Sequence, residues 1–193
     1  MSTNIKKIKE ELLEILYLPY KKCMSCPLAT QGRTHVVFGE GNADARIMLI
    51  GEAPGAQEDE LARPFVGASG KLLTHLLQKA GISRPEIFIT NIVKCRPPNN
   101  RRPTPQESGI CKNILLKKQI EIIQPTVIGT LGSCALEELL EGTYKITQVR
   151  GKKLVYKDTI TVIPTYHPAY ILRNRTAEPD LFHDLKTIVK LAE

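Results

Sequence analysis

Arg46–Ile47–Met48–Leu49–Ile50–Gly51–Glu52–Ala53–Pro54–Gly55 opens as a near-continuous apolar run and closes as a turn. A short unbroken apolar run is what a strand buried on both faces requires, whereas a strand with one wet face alternates. The same pattern recurs at Ile87–Val93, Pro125–Thr130 and Thr161–Pro164. Helical spacing separates these runs. Gly70–Ala80 carries Leu72, Leu73, Leu76 and Leu77 on one face, with Ser69 as its cap. Further helices are predicted from Thr104 or Pro105 to Ile123, over Ser133–Leu140, and over Pro179–Leu191. Strands alternating with helices predict an α/β fold, a three-layer α/β/α sandwich around a central four-stranded parallel sheet, as one domain over residues 1–193.

Toward the N-terminus, Ile5, Ile8, Leu12, Leu13, Ile15 and Leu16 predict an amphipathic helix that ends before Pro19. Residues 53–68 read as a long irregular loop, and Lys145–Val149 with Lys153–Tyr156 as a hairpin about Gly151. In open α/β sheets ligands bind beyond the carboxyl ends of the strands. Glu52–Gly55, Asn91–Arg96, Leu131–Gly132 and Tyr166–Pro168 occupy that position, so the expected site is a cleft built from distant parts of the chain.

The composition is that of an ordinary globular chain: 42% hydrophobic and 24% charged over 193 residues, which excludes disorder as the main state. No stretch approaches the ~18 apolar residues of a spanning helix. Met1–Glu14 carries lysines and carboxylates in place of a secretory apolar core. These features lead us to expect a cytoplasmic protein with no membrane partner. The net charge of +7 favours polyanions but names no partner by itself.

Five cysteines are an odd number for a disulfide framework. Cys23 and Cys26 stand in a CxxC unit, with Cys95 and Cys111 far downstream. The unit follows a helix and precedes Pro27, an unusual setting for a redox pair, and reads better as half of a four-thiolate site. Four thiolates suit zinc or an iron–sulfur cluster, and spacing does not choose between them. Cys134, beside Ala135 and Leu136 in a helix, reads as a buried small hydrophobe and not a ligand.

Several blocks occur in a characteristic order: Gly51–Glu52–Ala53–Pro54–Gly55, Glu58–Asp59, Pro64–Phe65–Val66–Gly67, Ser69–Gly70–Lys71–Leu72–Leu73, Thr90–Asn91–Ile92–Val93–Lys94–Cys95–Arg96–Pro97–Pro98, and His167–Pro168 followed by Leu172–Arg173. Together with the four cysteines they resemble the family 4 uracil-DNA glycosylases, the iron–sulfur branch of that superfamily. The resemblance runs from about Cys23 to Leu185.

It implies a uracil-DNA glycosylase-like fold and a monofunctional enzyme that hydrolyses the glycosidic bond of uracil in DNA, leaving an abasic site for base excision repair. It implies a [4Fe-4S] cluster on Cys23, Cys26, Cys95 and Cys111, mainly structural. The catalytic residues it implies are Glu52, Asn91 and His167; with Ala53, Pro54, Gly55 and Phe65 these form the uracil pocket. Ser69, Gly70, Lys71, Arg96, Arg101, Leu172 and Arg173 are the implied DNA contacts, joined by Arg102 and Arg175 as further phosphate candidates. Leu172 is the candidate wedge for the gap that a flipped nucleotide leaves.

Each role has a physical basis. A side-chain amide at Asn91 offers an acceptor and a donor side by side, matching uracil N3–H and O4. A ring at Phe65 stacks on a base without selecting it. A donor at His167 aimed at O2 stabilises charge that grows only as the bond breaks. Glu52 is placed to position water. Glu58 and Asp59 read as loop-fixing or surface groups. Ala62 stands where the family usually has glycine ahead of Arg63–Pro64–Phe65, which puts the shape of that turn in question.

The expected partners are uracil-containing DNA, single- or double-stranded, and other repair or replication proteins, with a monomer as the default. Lysine and isoleucine content hints at a heat-tolerant source. A DNA-binding protein without chemistry is the competing reading. A nucleotide hydrolase is disfavoured by the lack of a complete GxxxxGK[ST] loop.

Overall fold

The structure, a computed structural model, describes residues 2–193. The four core runs form parallel strands: β2 (Ile47–Gly51), β3 (Phe88–Asn91), β4 (Val127–Leu131) and β6 (Ile160–Thr165). Two short antiparallel strands extend the sheet, β1 (Glu40–Gly41) on β3 and β5 (Leu154–Tyr156) on β6, giving the order β1-β3-β2-β4-β6-β5. The expected four-stranded parallel sheet is therefore the centre of a six-stranded mixed one. Edge strands of two and three residues are too short to show a period.

Side chains alternate across the sheet as the pleat demands. Met48, Ile50, Phe88, Ile128 and Val162 face one core. That core is covered by α1 (Ser2–Tyr17), α4 (Pro105–Cys111), α5 (Lys117–Ile123) and α6 (Ser133–Leu140). Ile47, Leu49, Ile89, Val127 and Ile163 face the other, beneath α3 (Ala68–Lys79), α8 (Pro168–Arg173) and α9 (Glu178–Ala192). This is the three-layer arrangement. A π-helical segment, Lys112–Leu116, joins α4 to α5 directly after Cys111. Of the apolar stripe on α1 only Leu13 and Leu16 are buried; Ile5, Ile8, Leu12 and Ile15 are exposed.

Three local expectations change. The stretch read as an irregular loop contains α2 (Ala56–Leu61), whose first turn carries the buried Glu58 and Asp59. Helix α3 begins at Ala68 with Gly67 as its N-cap, so Ser69 lies inside the first turn. The hairpin is β5–β6, turned at Lys157 and Asp158 with φ of 48° and 60°, while Ile146–Val149 forms a helical turn, α7.

Ala62 closes α2 with φ 54°, the left-handed conformation in which glycine is unstrained. Replacing Ala62 by glycine should raise stability by up to ~1 kcal/mol, because the strain removed exceeds the added freedom of the unfolded chain. A fall in the thermal midpoint of that variant would contradict this account. No helix among the described residues is long and apolar enough to cross a membrane.

Candidate active site

The parallel register sets Gly51 beside Asn91, so the ends of β2 and β3 open at one level. Beyond β3 the ladder continues: Ile92 N–H donates to Gly51 O (2.9 Å) and Val93 N–H to Glu52 O (3.2 Å). At the end of β6, Thr165 Oγ1 donates to Asp184 (2.6 Å), which Arg150 grips with two nitrogens, fixing the chain two residues before His167. Between these ends lies a cavity of about 430 Å³. Glu52, Ala53, Pro54, Gly55, Phe65, Asn91 and His167 all line it, so every residue expected at the base pocket meets in one hollow. Leu131–Gly132 stays outside the lining; Gly132 packs behind the His167 side chain.

Asn91 is 1% exposed, and its Oδ1 has no hydrogen-bond partner among the described residues although it is buried. Such an atom is destabilising unless something that enters the cavity donates to it. A Cβ on Gly51 would stand 2.4 Å from that oxygen and 2.5 Å from the Phe65 ring, so only glycine allows amide and ring to meet. Phe65 faces His167 with ring centroids 5.7 Å apart at 35°. Its backbone is left-handed, φ 51°, and is held from both sides. Glu58 Oε1 accepts from Val66 N–H (2.9 Å) and Gly67 N–H (2.8 Å), while Arg84 donates to the Pro64 and Phe65 carbonyls. Asp59 likewise accepts from Thr34 and His35 amides, so both carboxylates fix loops.

His167 caps α8: its Nδ1 accepts from Ala169 N–H at 3.1 Å, which leaves the ring proton on Nε2. Burial, with Arg173 adding repulsion against Glu58's opposing pull, depresses its pKa to about 4. At neutral pH the ring is an uncharged Nε2–H donor. Burial also pushes the Glu52 carboxyl up, with the Cys134 thiol and Arg102 pulling back. Cys134 is buried as expected, and it lies against that acid.

Of the residues expected to face DNA, Ser69, Arg101 and Arg173 line the cavity and Gly70, Lys71, Arg96 and Leu172 do not. Gly70 is buried against Phe65, where a Cβ would stand 1.9 Å from Phe65 O. Arg101 is engaged at 2.7 and 2.8 Å by Glu107. Leu172 is half-buried, whereas Tyr170, unassigned in sequence, is 37% exposed at the cavity mouth. Its hydroxyl accepts from Asn174 (2.7 Å) and its ring packs on Tyr166 (5.0 Å). An aromatic so close to His167–Pro168, in a chain with only 5% aromatics, was the available signal.

Cys23 and Cys26 are half-buried, Cys95 and Cys111 buried; Cys95 feels the charge of the other three, and Cys111 that of Cys26 and Cys23. Burial pushes the Cys95 thiol up to about 12 and Cys111 to about 11. Among the described residues no three His, Cys, Asp or Glu side chains close around a single ion. Cys111 Sγ accepts from Lys94 N–H at 3.3 Å. Arg33 reaches Cys23 O (2.5 Å) and acts electrostatically on Cys95, yet its buried Nε has no partner among the described residues. A cationic donor beside Cys23 and Cys95 suits an anionic thiolate-bound group. Lys94, fully buried, bonds Thr90 Oγ1 (2.5 Å) and Asn91 O (2.7 Å).

The family model described as the uracil DNA glycosylase superfamily matches residues 38–189. The chain is 53% identical over 171 residues to a type-4 uracil-DNA glycosylase of Thermotoga maritima, covering 88% of each chain. It is 45% identical to one of Sulfurisphaera tokodaii, covering 98% of this chain and 85% of the relative. For one of Archaeoglobus fulgidus the identity is 41%, covering 94% of each.

Proposed function

This chain belongs to the uracil DNA glycosylase superfamily, and from that membership we propose how its own residues act: Phe65 and Asn91 hold a uracil turned out of the DNA, while His167 and Glu52 promote hydrolysis of its glycosidic bond. The protein is a glycosylase that removes uracil from DNA. The observation that carries the roles is the buried, unpartnered Asn91 Oδ1 in a cavity shared with the Phe65 and His167 rings.

A base inside the duplex is out of reach, so the nucleotide swings out. Uracil stacks on Phe65, donates N3–H to Asn91 Oδ1, and accepts at O4 from Asn91 Nδ2. Cytosine offers an amino donor at that second position, leaving two donors opposed in a buried site. As the C1′–N1 bond breaks, its electron pair leaves with the base and collects at O2. His167 Nε2–H donates there, stabilising charge absent from the ground state. Glu52 orients the water that adds to C1′ and takes its proton. The Ala53–Pro54–Gly55 turn walls the pocket. Ser69, Tyr170 and Arg173 meet the DNA at the rim, with Lys71 and Arg96 further out.

Cys23, Cys26, Cys95 and Cys111 hold a [4Fe-4S] cluster in this reading. The support on the side of the residues is the donor set, four thiols with the cationic Arg33 beside Cys23 and Cys95. When bound, the cluster supplies a rigid crosslink and no chemistry at the base. The chain acts as one domain over residues 1–193, a monomer in the cytoplasm of a heat-tolerant prokaryote, alongside chromosomal DNA and other repair or replication proteins.

Uracil release from defined oligonucleotides, measured with iron content, tests the assignment. A colourless, iron-free preparation that binds DNA without regard to uracil would overturn it in favour of a binding module. Cys95→Ser should lose iron and melt at a lower temperature, whereas Cys134→Ala should keep its full iron content. Equal iron loss in both would remove Cys95 from the ligand set.

A further inference from the structure

The Phe65 loop is gripped through main-chain carbonyls by a side chain that touches neither the cavity nor the DNA-facing rim. Arg84, in the turn after α3, donates Nη1–H to Phe65 O (2.8 Å) and Nη2–H to Pro64 O. Its Nη1 also reaches Thr74 Oγ1 (3.5 Å), and its Nε donates to Glu40 Oε1 (3.0 Å). Glu40 in turn holds Arg63, at 2.7 and 3.1 Å, on the residue preceding Pro64. The same loop is held at its amides by Glu58. A bulky residue with φ 51° is in a conformation its own backbone disfavours, so the surrounding contacts must select it.

We propose that Arg84 is a positioning residue for base stacking: its guanidinium fixes the Pro64 and Phe65 carbonyls so that the Phe65 ring stays level with Asn91 and opposite His167. The proposal rests on the reading of Phe65 as the uracil shelf. A planar fork is what two successive carbonyls require; a lysine ammonium is a point donor without that geometry. Without the clamp, Pro64–Phe65 relaxes toward an ordinary backbone conformation and the ring tilts off the base. Stacking contributes to the bound and the reacting states alike, so its loss raises KM more than it lowers kcat.

The test is a double-mutant cycle of Arg84→Ala with Phe65→Ala, read as KM and kcat on a uracil-containing single strand, with iron content and melting as checks on the fold. Arg84→Ala alone should raise KM about ten-fold, within the range that one stacked base supplies. In the Phe65→Ala background the same change should shift KM by less than about two-fold, because the ring it positions is gone. Arg84→Lys carries the same comparison should the alanine variant not fold. Losses that multiply in the double variant, or a fall in kcat, iron and melting together regardless of Phe65, overturn the clamp while leaving the glycosylase reading intact. A wild-type protein inert toward uracil overturns that reading and the clamp with it.

Discussion

Replacing His167 by alanine should slow single-turnover uracil release by about 10²–10³-fold, the effect of removing one donor aimed at developing negative charge. DNA affinity should change little, because the donor contributes mainly as the bond breaks. The pH profile separates this role from that of a charged acid. With a pKa near 4 the imidazole is neutral across the physiological range, so the His167-dependent rate should hold from neutral pH to about pH 5. It should fall only as pH drops through about 4, where Nδ1 must take a proton it can hold only by giving up the Ala169 amide. The linkage to stability has the same sign. The folded pKa lies below the unfolded value of 6.5, so stability from this residue is complete above that pH and is lost as pH falls through about 4. A rate that rises as pH falls through 6.5 in the wild type, and not in His167→Ala, would show that the cationic ring is the active form.

Asn91→Asp should lower uracil release by a factor on the order of 10² or more, since a carboxylate keeps an acceptor and loses the donor for O4. It should also admit cytosine, whose amino group finds an acceptor where the wild type presents N–H. Paired oligonucleotides carrying uracil or cytosine at one position measure both effects. An unchanged preference for uracil over cytosine would take base recognition away from Asn91.

The four long apolar runs were legible because burial on both faces removes alternation, and their carboxyl ends located the cavity. What escaped was set by contacts without sequence period. Helix α2 is bracketed by Pro54–Gly55 and Pro64, which read as breakers; Glu58, read as a loop-fixing or surface group, does fix a loop, but that it holds the Val66 and Gly67 amides is set by tertiary contact. Those same bonds draw the start of α3 forward to Gly67, past the serine that propensity favours as a cap. Arg84 left no trace, because a side chain that binds carbonyls does not constrain which residues carry them. The tautomer of His167 depends on one amide, that of Ala169, whose orientation no motif encodes.

Asn91 and Glu52 ride on hydrogen-bonded neighbours, β3 and β2, whereas His167 leaves β6, with β4 between. In the roles proposed above, the amide that chooses the base and the imidazole that donates to it as it leaves thus belong to separately tunable parts of the framework. Random libraries confined to residues 166–175 should therefore yield variants of altered turnover that still accept the same base. Libraries over 53–67 and 91–94, with Glu52 kept, should change which base is accepted.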